Sequence, residues 1–337
     1  MEVYFFKSAV YDHYYNCFVK SEQEWAEVGL KRPILGTVNI VIGTIVMAIL
    51  IPCMKTMLEP KLWRNSCYKL MFFNAVIDFM GVINSSYVTS VLAIQGAVYC
   101  TYPTFIYIYG SVGVSLWFSQ CLGVMLLGLN RLADFSHNNF LMGLFEGKNI
   151  YVLFVFPVIS FTFSLFYARP ALYSSIANMW NSNPYFAIPN ITSEKSFYIS
   201  LPLDINNGIT IVTLTSCYTI LIVAIWLKKN RAHVNHVGHV QRNVTIQAFL
   251  ICLFIYLCAV FYMVFENFPD FFPPWVLYVS FIGWQWSFCG TVVVYITMNK
   301  QLRQGVIKFY MSILGLQKHN VSSVHAITTL VAHEIHL

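Results

Sequence analysis

The sequence predicts an all-α membrane protein, a bundle of seven transmembrane helices. Three observations carry that expectation. Apolar residues make up 58% of the 337-residue chain and charged residues only 10%, against about 25% charged in a soluble domain. The apolar residues come in long blocks, each matching the roughly 20 residues a helix needs to cross a bilayer core of about 30 Å. The basic residues collect in the short connectors between blocks. A β-barrel is excluded, because its strands alternate in polarity over about ten residues and these blocks are apolar throughout. In lipid, a block of that kind satisfies its backbone groups only as a helix.

Residues 1–33 form an N-terminal segment ahead of the bundle. It carries Asp12, Glu22, Glu24 and Glu27 and has no apolar run at its start, so no secretory signal is visible and the first span is expected to act as a signal anchor. The bundle occupies 34–298. Its blocks are Ile34–Met57, Tyr68–Ile94, Thr104–Leu129, Ile150–Tyr167, Asn207–Leu227, Thr245–Glu266 and Pro274–Met298. The fourth is only just long enough to span. Residues 299–337 form a tail. Within it, 299–313 repeats apolar residues at Leu302, Val306, Phe309 or Tyr310, and Ile313, with Lys300, Arg303 and Lys308 between them, the pattern of an amphipathic helix on a membrane surface. The tail has no cysteine to carry a palmitoyl anchor.

Connector charge predicts the orientation. With the N-terminus outside, Lys61, Arg64, Arg131, Lys148, Lys228, Lys229, Arg231, Arg242, Lys300, Arg303, Lys308 and Lys318 fall inside, and Lys7, Lys20, Lys31, Arg32, Arg169 and Lys195 outside. Lys31 and Arg32 argue the other way and are outvoted. The C-terminus is then inside. Asn190-Ile191-Thr192 becomes a glycosylation sequon in the second outer loop; the sequons at Asn84, Asn243 and Asn320 fall in a helix or in the cytosol. Cys17 and Cys100 are the only cysteines on the outer side. Exposed cysteines in an oxidising exterior tend to pair, so a Cys17–Cys100 bridge is expected, with two free thiols as the alternative.

Several function classes find no support. The formal charge of +6 is spread over connectors and forms no patch for nucleic acid. His233, His236 and His239 lack a neighbouring Cys or carboxylate to complete a metal site, and read as a solvated basic loop. His333-Glu334 lacks the second histidine of a zinc-protease motif. No catalytic constellation and no cofactor motif emerges.

Two polar residues remain to be explained. Asp78 lies eleven residues past Cys67, about 16 Å along a helix, near the bilayer midplane. An acid at that depth usually faces the bundle interior; it reads as a cation or water site coupling helices, or as a packing group bonded to Asn39 or Asn84. Arg131 follows the third span, where it reads as a coupling residue or as an arginine snorkelling at the membrane edge. Tyr107, Ser111, Ser115, Phe261, Tyr262, Phe265, Trp284 and Gln285 fall on the outer halves of helices three, six and seven. Apolar walls with a few polar anchors are what a small-molecule pocket uses, and also what plain aromatic packing produces.

Particular segments then become recognisable. They are Ser66-Cys67-Tyr68-Lys69-Leu70-Met71-Phe72-Phe73 running on to Asp78, Ala93-Ile94-Gln95-Gly96-Ala97-Val98-Tyr99-Cys100-Thr101-Tyr102-Pro103, Leu129-Asn130-Arg131, Leu144-Phe145-Glu146-Gly147-Lys148 and Ile246-Gln247-Ala248-Phe249-Leu250-Ile251-Cys252. In this order and spacing the chain closely resembles the nematode serpentine chemoreceptors of class T, the Srt family, from Tyr15-Asn16-Cys17 to Asn299–Arg303. The resemblance implies a seven-helix receptor in the plasma membrane of sensory neurons or their cilia. It also implies a small-molecule ligand, coupling to a heterotrimeric G protein, and roles in activation for Asp78, Asn130, Arg131 and Tyr295. Two departures from the general receptor pattern stand out: Asn130 replaces the acid that many such receptors carry before the arginine, and the seventh helix, ending Gly290-Thr291-Val292-Val293-Val294-Tyr295, has no proline. A seven-span transporter or ligand-gated channel is the rival reading. It calls for several intramembrane charges along a path, where this sequence offers one well-buried acid and no internal repeat.

Overall fold

The computed structural model describes residues 1–136, 139–191, 193–231, 239–267 and 275–316. Seven long helices form the bundle: α1 Pro33–Met57, α2 Ser66–Gln95, α3 Pro103–Ser136, α4 Asn149–Tyr167, α5 Leu201–Arg231, α6 His239–Asn267 and α7 Trp275–Met298. The first six each contain a stretch long and apolar enough by itself to cross a membrane. Large apolar side chains point outward where lipid would lie, among them Ile34, Val41 and Ile45 of α1, Val152, Phe156 and Ile159 of α4, and Ile205, Ile209 and Val212 of α5. A solvated surface does not tolerate contiguous patches of that size.

Several helices outrun their apolar blocks. Helix α3 continues seven residues past Leu129, and α5 and α6 begin six residues before Asn207 and Thr245. Only the lipid-embedded part of a helix has to be apolar, so a helix can run on past its apolar block. Helix α2 begins at a cap, where the Asn65 side chain accepts from the Cys67 N–H at 2.9 Å. Midway it widens into a π-helical stretch, Ile83–Val88, which frees backbone groups for other partners. It stops at Gly96, whose φ of +73° favours glycine and whose position against the Lys31 backbone leaves 2.9 Å for an added Cβ.

The sequence gives no warning of the short hairpin between α4 and α5, with β1 Leu172–Ser174 antiparallel to β2 Met179–Asn181. It is pinned to the α2–α3 connector by a Val98–Ser174 bridge and by the Ser175 N–H donating to Ala97 O. At the opposite face, α8 (Lys300–Ile313) turns off α7 under an Asn299 cap. Leu302 is buried, and the Tyr310 hydroxyl donates to Ala48 O of α1 at 2.6 Å. His233, His236, Thr192, Asn320 and the His333-Glu334 pair lie outside the described residues.

Candidate functional site

Three polar or aromatic layers sit along the bundle, and the face carrying the N-terminal segment, the N face, is the most elaborate. Helix Glu22–Val28 starts in a capping box of Ser21 and Glu24, and Ser21's N–H and hydroxyl hold the Glu24 carboxyl below the usual range. Trp25 is buried, its Nε1 donating to Cys17 O at 2.7 Å. The Tyr185 hydroxyl donates to Asn16 O at 2.5 Å and that of Tyr198 to Tyr14 O at 2.6 Å. Arg32 donates to the carbonyls of Ser175 and Ile176 at 2.8 and 2.7 Å. The sulfurs of Cys17 and Cys100 are at bonding distance, 2.09 Å. Tyr4, Tyr11, Tyr15 and Tyr107 pack ring against ring under this cover, and Tyr11 meets the Tyr99 hydroxyl at 2.9 Å.

Beneath the N-terminal segment lies a cavity of 340 Å³, between Met1–Val10, Tyr107 of α3, the α4 exit at Phe166–Pro170 and the α5 entry at Phe197–Pro202. Of the seven pocket residues read from the sequence whose side chains are described, Tyr107 lines it and the other six do not. Ser111 and Ser115 are buried but donate to their own helix, to the carbonyls of Tyr107 and Ser111. Gln285 turns to Ser86 Oγ at 3.2 Å, and Trp284 meets the edge of Phe288. Phe261 is 51% exposed, Tyr262 half-buried, and the Phe265 side chain is outside the described residues. This cavity therefore opens over α3, α4 and α5, not between helices three, six and seven, because the N-terminal segment and second connector supply its walls.

Deeper in, Asp78 is fully buried. Its partners are neither Asn39 nor Asn84, which instead donates to Tyr109 O at 2.8 Å. Gln120 Nε2 donates to Asp78 Oδ1 at 2.7 Å and to Ser287 O at 3.0 Å, and the Thr291 hydroxyl donates to Oδ2 at 2.7 Å. One acid thus ties α2 to α3 and α7 through neutral donors. Asn74, one turn earlier, is also buried and lies so close to Gly123 that an added Cβ there would sit 2.0 Å from Asn74 Oδ1.

At the opposite face, the C face, Arg131 is no snorkelling residue: its side chain is 3% exposed and pairs with Asp134 Oδ2 at 2.7 Å. The acid missing before the arginine is present one turn after it, at the i,i+3 spacing that brings helix neighbours together. Arg131 also donates to Asn130 Oδ1, while Asn130 Nδ2 donates to Ser66 Oγ of α2 at 3.0 Å. Alongside, Asn299 Nδ2 donates to the Tyr68 hydroxyl at 3.0 Å and to Gln247 Oε1 at 3.1 Å, joining α2, α6 and the α7–α8 junction. Tyr295 is buried, its hydroxyl 3.4 Å from Met71 O. Gln120, Asp134, Gln247 and Asn299 are residues that sequence reasoning passed over.

A seven-helix membrane bundle with a covered cavity at one face and a buried, paired arginine at the other is the architecture of a multi-pass receptor. The family model described as "Serpentine type 7TM GPCR chemoreceptor Srt" matches residues 1–319. The "Serpentine receptor class T-55" of Caenorhabditis elegans is 26% identical over 298 residues, covering 86% of this chain and 78% of that protein. The chain belongs to the Srt family of serpentine chemoreceptors.

Proposed function

We propose that this protein is a chemosensory receptor of the plasma membrane, probed from outside by a small molecule and read inside by a heterotrimeric G protein. On this reading the segment 1–33 and the N face are extracellular, 34–298 is the signalling bundle, and 299–337 lies in the cytosol, in sensory neurons or their cilia. Connector charge supports the orientation, and so does the Cys17–Cys100 pairing, which belongs on an oxidising side.

The observation that carries the reading is buried Arg131, paired with the partly exposed Asp134 beside Asn130 and Ser66. A guanidinium held by side chains at a helix end exchanges partners when neighbouring helices move, and a ligand that favours the moved state shifts the population toward it. Asp78, tied to α3 and α7, sits between the cavity and that pair. The test measures ligand binding and nucleotide exchange side by side at matched surface density. Arg131→Ala should keep binding and abolish exchange. Asp78→Asn, nearly the same in volume, should reach the surface and change the sensitivity or size of the response. Full exchange from Arg131→Ala sinks the coupling role. Joint loss of expression and response in Asp78→Asn assigns that acid to the fold alone.

A further inference from the structure

The N-face cavity holds a positive charge that the protein around it does not balance. Two cationic side chains line it, with the N-terminal ammonium of Met1, which donates to Leu165 O at 2.8 Å and Phe166 O at 3.3 Å and has Glu2 beside it. Lys7 is paired with Glu2 at 2.9 Å. Arg169 is different: among the described residues, no carboxylate lies within 4.0 Å of its guanidinium. Instead the guanidinium sits 3.9 Å from the ring centroid of Phe197, and Phe197 stacks on Tyr14 at 3.5 Å with the rings 2° from parallel. The guanidinium is thereby held over an aromatic ring at cation–π distance. Nearby phenols do not supply the missing anion: Tyr15, which lies within hydrogen-bonding reach of Arg169, and Tyr198 are both pushed up from the ordinary tyrosine range by burial and stay neutral.

A fixed, half-buried guanidinium without a counter-charge is matched by a planar anion, since its N–H groups form a fork with the spacing of a carboxylate. Apart from the Met1 ammonium, the rest of the wall is apolar or aromatic, Tyr107, Phe166 and Phe197 among it. A volume of 340 Å³ is at the small end of ligand pockets. We propose that this cavity takes a small organic acid, its carboxylate on Arg169 and its apolar body between Tyr107, Phe166 and Phe197. The proposal rests on the receptor reading above and names the ligand class for it.

The test uses the full-length receptor in phosphatidylcholine nanodiscs, which present no net anionic lipid. Benzoate and hexanoate are titrated against their neutral counterparts benzamide and hexan-1-ol, with binding read by calorimetry and saturation-transfer NMR. The acids should bind more tightly than the neutral pair by about tenfold or more, the usual worth of a charge-assisted bond. Arg169→Gln should lose about that factor, and Arg169→Lys should retain part of it, a charge without the fork. Lys31→Gln, an exposed charge of the same face outside this cavity, should bind as the parent does. Equal binding of acids and neutral counterparts overturns the proposal. So does acid binding unchanged in Arg169→Gln, or no acid binding at millimolar concentration by monodisperse receptor. Acid binding without nucleotide exchange on any G protein would leave the ligand class standing and sink the signalling reading. Exchange driven by neutral compounds, with no acid bound, would do the reverse.

Discussion

The two faces of the bundle are tied in different ways. On the N face, alongside side-chain pairs such as Tyr11–Tyr99 and Trp180–Thr89, many of the ties that fix the loops run from side chains to backbone carbonyls: Trp25 to Cys17, Tyr185 to Asn16, Tyr198 to Tyr14, Arg32 to Ser175 and Ile176. A carbonyl has a fixed position and no rotamer, so each tie holds a loop to one place. On the C face, while Tyr295 and Tyr310 reach the carbonyls of Met71 and Ala48, the ties around the arginine run between side chains: Arg131 to Asp134, Asn130 to Ser66, Asn299 to Tyr68 and Gln247. Both ends of such a bond can rotate away at the cost of a rotamer change and accept a new partner. The first arrangement holds the shape of a cavity; the second permits exchange. On the receptor reading, the rigid face meets the ligand and the exchangeable face meets the G protein.

That contrast breaks most visibly at the sulfur pair. Cys17 and Cys100 are 83 residues apart in sequence, so a bond between them removes much chain freedom from the unfolded state. Cys17→Ser should cost about 2–4 kcal/mol, lower the melting temperature and reduce surface delivery, while basal nucleotide exchange per surface receptor stays at the parent level. The double variant Cys17→Ser/Cys100→Ser should cost no more than either single one, because the two act as a unit. Peptide mapping under non-reducing conditions, on protein taken from the cell surface, should recover the linked pair. Recovery of both as alkylated free thiols would remove the N face's firmest tie and with it this half of the comparison.

Asp134→Asn should give the opposite result in nucleotide exchange. The Asp134 side chain is 37% exposed but that of Arg131 only 3%, so screening weakens the pair while the buried guanidinium left without its acid adds to the cost, and stability should fall by about 1–3 kcal/mol. Arg131, however, loses its anchor while remaining buried beside Asn130. Basal nucleotide exchange per surface receptor should rise severalfold, with a modest fall in melting temperature. If exchange stays at the parent level while the variant reaches the surface normally, the Arg131–Asp134 pair does not restrain coupling, and the C face is as fixed as the N face.

The sequence made the bundle legible because a membrane span is one-dimensional information: length and apolarity suffice, and the seven blocks overlap the seven helices. Where three-dimensional placement decides, less was readable. Gln120 and Thr291 lie 42 and 213 residues from Asp78, and nothing local marks them as its partners; the nearer amides, Asn39 and Asn84, were the natural guess. The π-helical stretch Ile83–Val88 contains no proline or glycine, so no sequence punctuation announced it. The cavity is built from the N-terminal segment, the α4 exit and the α5 entry, segments without periodicity, whereas the sequence reading followed the aromatic faces of helices three, six and seven. Asp134 was within reach, since an acid three residues after Arg131 on one helix is a spacing rule; attention to the residue before the arginine hid it.

The smallest effect concerns Asn190, which decides which side of the membrane the rigid face occupies. The residue is exposed, has a φ of 63° and follows Pro189 in the second connector. Asparagine tolerates that left-handed conformation better than most residues, so the position costs little and leaves the side-chain amide open to a glycosyltransferase. Asn84 also matches the sequon but is 3% exposed and donates to Tyr109 O, where no transferase reaches it. With the N face outside, glycosidase should increase gel mobility by one glycan in the parent and not at all in Asn190→Gln, while response stays within error and melting temperature falls only slightly, because the cost is confined to the left-handed backbone and no hydrogen bond of its side chain to the described residues is lost. Tags at the two termini on intact cells give an independent reading: the N-terminal tag should be accessible and the C-terminal tag only after permeabilisation. A glycosidase shift that persists in Asn190→Gln moves the sugar elsewhere. A C-terminal tag accessible on intact cells would invert the bundle, putting the tied face and its cavity in the cytosol and the exchangeable face outside, where no G protein could meet it.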